Sequence, residues 1–149
     1  MTESLVSTQS DFQGRLTGSF SNVLTWEQLA ALWATVRDQP EGWYIYAVGE
    51  EPPEGPASAS ALDRFLVEID ALLHREHRED YCGIVYADDR SKPAFIKIFD
   101  PHNLGSSCGS SGMITLPGWL LTRMRPELLR DPRVLPEGRK RWWRSLIGL

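Results

Sequence analysis

Between positions 62 and 73 the apolar residues Leu62, Phe65, Leu66, Ile69, Leu72 and Leu73 recur at the 3.6-residue period of an α-helix, with Asp63, Arg64, Glu68 and Asp70 on the opposite side. A helix with one apolar stripe has to lie on another apolar surface, and here a sheet is the expected support. Ser58 or Ser60 can cap its start, and Asp63 falls in the first turn, where the partial positive charge of a helix N-terminus favours an acid. This element forces a layered fold on the chain.

An earlier helix is predicted from Thr25. Thr25 and Gln28 have the spacing of a capping box, and Leu24 and Leu29 flank it in staple positions. Trp26, Leu29, Ala30, Trp33 and Val36 form its apolar face, and Pro40 ends it because proline cannot continue the hydrogen-bond ladder. The aromatic and β-branched run Trp43–Val48 reads as a strand, and the proline-rich stretch from Glu50 to Pro56 as a stiff loop. Tyr81–Ala87 and Ala94–Phe99, joined by the turn-forming run Asp88–Pro93, predict a β-hairpin. Lys97 lies on the same side as Phe95 and Phe99, so that side is expected to be half exposed, with Ile96 and Ile98 facing the core. Met113–Leu116 is a candidate for a further strand, and Trp119–Met124 is apolar enough to pack.

The expected class is α+β: a small, mainly antiparallel sheet of three to four strands, two amphipathic helices packed on one face, and a basic C-terminal tail. The helix between the first two strands could also make a parallel crossover, which leaves the pairing order open. Residues 1–22, rich in Ser, Thr, Gln and Gly, read as a flexible leader in which only Phe12, Leu16 and Phe20 stand out as apolar points. Residues 23–125 form the single domain, and residues 126–149 a tail interrupted by Pro126, Pro132 and Pro136 that ends in a short helix. A length of 149 residues suits one domain with its own core.

Charge is divided unevenly. Residues 123–149 hold eight of the 16 Lys and Arg against three acids, a net +5, which leaves −9 for the rest of a chain whose total is −4. The acidic body should repel nucleic acid and anionic lipid, whereas the tail could attract either or fold back onto the acidic body. No apolar run approaches the roughly 18 residues that span a bilayer, no signal peptide is visible, and two cysteines make no disulfide framework. A cytoplasmic location with both thiols reduced is the expectation.

Three regions have the residue types of a site. Gly105, Ser106, Ser107, Gly109 and Ser110 lie in a glycine- and serine-rich run whose N–H groups could turn inward on an anion or small ligand. That run lacks the Gly-Lys-Ser/Thr of a P-loop and is no dinucleotide fingerprint, so no cofactor is expected, and a flexible surface loop is the plainer reading. Cys108 within it, with His102 and Asp100 upstream, supplies the parts of a nucleophile, a base and an orienting acid, although the spacing matches no hydrolase signature. Cys82 reads as a small buried hydrophobe. His74 and His77, three residues apart near a helix end, could hold a metal, but basic groups are favoured in the last turn of any helix, and no metal site is assigned.

The third region is Arg139, Lys140, Arg141, Trp142, Trp143 and Arg144. Adjacent tryptophans among cations suit a membrane surface or an acidic protein groove; a single basic turn in acidic surroundings suits nucleic acid poorly. The alternative is that Leu146, Ile147 and one tryptophan pack back on the body. The leading expectation is an accessory or protein-interaction domain without catalysis, working on a protein partner or by self-association. A cysteine-dependent enzyme or redox protein, and an anion or small-ligand site at residues 105–112, are the alternatives.

Overall fold

The structure, a computed structural model, describes residues 10–102, 116–129 and 137–147. Its elements in chain order are α1 (Asp11–Leu16), β1 (Ser21–Val23), α2 (Trp26–Asp38), β2 (Tyr44–Ala47), α3 (Ala59–Glu76), β3 (Val85–Ala87), β4 (Phe95–Ile98), β5 (Trp119–Thr122) and α4 (Glu137–Ile147). The five strands form one sheet in the order β1-β3-β4-β5-β2, and all four pairings are antiparallel. Among the described residues the fold is therefore α+β as expected, with five strands against the expected three to four and, beside the two amphipathic helices and the short C-terminal helix, one further helix, α1.

Both long helices form where their caps stand. Thr25 accepts from the Gln28 N–H while the Gln28 side chain accepts from the Thr25 N–H, so the capping box is complete. Ser58 caps α3 by accepting from the Ala61 N–H at 3.1 Å. The stripe from Leu62 to Leu73 is fully buried and packs with Leu29, Leu32, Trp33 and Val36 of α2 on one sheet face, where Val23, Val85, Ala87, Ile96, Ile98 and Leu121 point inward.

β3 and β4 pair as the predicted hairpin, Val85 opposite Ile98. β2 does not neighbour β3; it closes the sheet edge against β5, with Tyr44 opposite Thr122. This removes the parallel crossover. β5 sits between β4 and β2 with all four residues buried, so it shows no polar–apolar alternation along its length. Residues 113–115 of the candidate strand lie outside the described residues.

The opposite face corrects one expectation. Residues 10–23 carry regular structure: α1, capped by Ser10, and edge strand β1. Phe12, Leu16 and Phe20 cover the sheet over Phe95, Tyr46 and Leu120, so Phe95 is buried, while Lys97 and Phe99 on the same side stay half-buried. The Lys97 ammonium lies 3.9 Å from the Phe20 ring centroid and donates to the Leu16 carbonyl at 3.2 Å, the arrangement that lets a half-buried cation persist among aromatics. Burial lowers its pKa. Residues 1–9 of the expected leader lie outside the described residues.

Candidate functional site

The basic tail folds back onto the body. In α4 the residues Arg139, Trp143 and Leu146 are buried and Trp142 is half-buried, whereas Arg141 and Arg144 are exposed. Spacings of three and four put Trp143 and Leu146 on one side of the helix, and that side meets the sheet and α3. Trp143 makes an edge-to-face contact with Phe65 of α3, centroids 6.3 Å apart, and Trp142 one with Trp119 of β5 at 5.5 Å. Both tryptophans expected to meet a partner or membrane are thus engaged by the domain, as in the alternative in which the tail packs back.

Arg139 anchors this helix and is only 9% exposed. Its Nε donates to Asp100 Oδ2 at 2.9 Å and its Nη2 to Asp100 Oδ1 at 2.8 Å. On the other side Nη1 donates to Glu76 Oε2 at 3.0 Å and Nη2 to Glu76 Oε1 at 2.6 Å. One guanidinium therefore bridges the end of α3, the residues just after β4, and the start of α4. Arginine suits this position because its planar fork can serve two carboxylates in bidentate fashion. Burial opposes the charge on Arg139, but the hydrogen bonds to Glu76 and Asp100 outweigh it, and its pKa is raised. The same hydrogen bonding lowers the Glu76 pKa below its ordinary value.

Asp100, proposed from sequence as the orienting acid of a Cys108–His102–Asp100 group, is buried. Its third hydrogen bond comes from the His102 backbone N–H at 2.9 Å, and the imidazole of His102 is exposed. The carboxylate thus serves Arg139 and a local turn. A side chain at Gly118 would put its Cβ 3.0 Å from the Asp100 Cβ, so glycine there lets β5 pass close beside the anchor. Cys108 and Gly105, Ser106, Ser107, Gly109 and Ser110 lie outside the described residues.

Cys82 is buried, and burial pushes its thiol pKa up, as befits a small hydrophobe. The histidines serve packing: His74 stacks on Trp26 at 4.1 Å and lies 3.7 Å from Asp70, while the buried His77 places Nε2 2.8 Å from the Cys82 carbonyl oxygen. Among the described residues no three His, Cys, Asp or Glu side chains are grouped to hold a metal ion, and no helix is long and apolar enough to cross a membrane.

α4 also closes a cavity. A space of about 390 Å³ lies between Ile45 of β2, the loop carrying Pro53 and Ala57, Ala61 and Phe65 of α3, and Trp143 and Leu146 of α4. No local pattern announces it, because its walls come from three separate stretches of chain. No protein-family model, curated protein or solved structure matches this chain, so function has to be read from this geometry.

Proposed function

We propose that the protein is a non-catalytic interaction domain that offers the outer face of α4 to an acidic protein surface, on another protein or on a second copy. The observation that carries this is the division of the helix. Its apolar side and Arg139 are spent on the domain, while Arg141 and Arg144 stand exposed with no ion-pair partner among the described residues. A rigidly docked helix presents such cations at little entropic cost, and exposed charges mainly set encounter rate and partner choice. Packing of Trp142 and Trp143 into the domain removes the interfacial aromatics on which a membrane contact would depend. The engagement of Asp100 by Arg139 weighs against the cysteine-enzyme alternative.

The test compares wild type with the double substitution Arg141→Glu/Arg144→Glu, and with Arg125→Glu as an exposed control outside α4. Self-association is read by sedimentation velocity at low and high salt, and partner capture from the native host with the same three proteins. The expected result is association that weakens with salt and is lost in the double variant but kept in the control. Association unchanged by the double reversal would overturn the proposal.

A further inference from the structure

The cavity under α4 has a chemistry distinct from that of the outer face. Of its lining residues only Ser58 and, through its indole N–H, Trp143 have polar side-chain groups, and the Ser58 hydroxyl is already engaged in capping α3 and lies 3.3 Å from the Ser60 hydroxyl. No charged side chain lines it. Its volume falls within the roughly 300–1,000 Å³ of small-molecule sites. An ion would find no charged partner there.

Access is restricted on the sheet side. The Ala57 N–H of the proline-bearing loop donates to the Trp43 carbonyl at 2.8 Å. That bond lies at Trp43, just before β2, and ties the loop down beside the pocket. Two aromatic rings, Phe65 and Trp143, form part of the wall at right angles to each other, an arrangement that accepts a third ring or a branched alkyl group.

We propose that this cavity is a binding site for a small, uncharged, apolar molecule of aromatic or branched-alkyl type. Trp143 and Leu146 belong to α4 and the other walls to the body, so an occupant holds the terminal helix against the domain. The site lies on the side of α4 away from the exposed Arg141 and Arg144 and is chemically distinct from that outer face.

The experiment uses the full chain and two probes of similar shape, toluene and benzoate. Methyl resonances of Ile45, Ala61 and Leu146 are followed by NMR during titration, together with hydrogen exchange of residues 139–147. Toluene is expected to give saturable shifts at these methyls and slower exchange in α4, with benzoate binding weaker by on the order of tenfold or more, since tenfold corresponds to only about 1.4 kcal/mol. Ala61→Phe fills the cavity and should abolish the toluene response; if that variant loses its native spectrum, Ala57→Leu replaces it. Shifts that do not saturate, benzoate binding as well as toluene, or a folded cavity-filled variant that still responds would each overturn the assignment.

Discussion

Replacing Arg139 with Met isolates what holds the terminal helix. The substitution keeps most of the aliphatic stem but removes the donors that serve Asp100 and Glu76. The Asp100 side chain is 2% exposed and among the described residues would be left with only the His102 N–H, a loss of about 3–5 kcal/mol for a buried carboxylate deprived of its partner. Glu76 is about one-third exposed and adds at most about 1 kcal/mol, because water screens the charge it would leave behind. A loss of this size is a large share of the roughly 5–15 kcal/mol that stabilises a domain. The loss should fall on α4, the one element that depends on Arg139 for its anchorage; α3 is also held by its buried stripe against α2 and the sheet. Hydrogen exchange at residues 139–147 should therefore accelerate by on the order of a hundred- to a few thousand-fold, or until the helix is fully open, at about 1.4 kcal/mol per factor of ten. Residues 62–72 of α3 should keep their protection, and the exposed control Arg144→Met should change stability by less than about 0.5 kcal/mol. Adding Asp100→Leu to Arg139→Met should recover part of the loss, since a buried ion pair replaced on both sides by apolar groups is often nearly neutral. Unchanged exchange in α4, or α3 and α4 losing protection together, would refute the picture of a locally anchored helix.

Two further outcomes follow from single groups. The Glu76 pKa is lowered in the folded chain, chiefly by the hydrogen bonds from Arg139, so its stabilising contribution is complete above its ordinary value of 4.5 and is lost as pH falls through the lower folded value. Acid titration should weaken α4 protection over that window in wild type and over none of it in Glu76→Gln, as read by hydrogen exchange against pH. Tyr46 is fully buried and its hydroxyl accepts from the Leu129 N–H at 2.7 Å, so Tyr46→Phe should cost about 1–3 kcal/mol in urea unfolding, because it leaves that N–H without its acceptor. No change in the urea midpoint would show that the Leu129 amide is satisfied by water instead.

How much of this was legible depends on where the physical signal is local. The stripe from Leu62 to Leu73 and the Thr25–Gln28 cap are encoded within one or two helical turns, and both formed as read. β5 was missed as a strand because a central strand buried on both faces has no alternation to detect, and Trp119–Thr122 looks the same whether it packs as strand or helix. In residues 10–20, Ser, Thr, Gln and Gly masked a real signal: Phe12, Leu16 and Phe20 stand four residues apart and become the roof over Phe95. Arg139 was indistinguishable from its basic neighbours, because what buries it lies 63 and 39 residues away at Glu76 and Asp100. The cavity was invisible for the same reason.

These long-range links converge on α4. Its first turn is tied to the ends of α3 and β4, its apolar side lines the cavity, and Arg141 and Arg144 face outward. A molecule that enters the cavity contacts Trp143 and Leu146 only while the helix is docked. Such a molecule stabilises the docked state by RT ln(1 + [L]/Kd), about 2.7 kcal/mol at a hundredfold excess over Kd. That is comparable to what removing Arg139 takes away, so cavity occupancy and the Arg139 anchor act on the same equilibrium. An acidic partner that needs Arg141 and Arg144 held in fixed register would bind more tightly when the cavity is filled, and by reciprocity its binding would tighten the cavity's hold on its occupant by the same factor. In Arg139→Met this mutual gain should grow, because a larger share of the helix population is then open to recruitment.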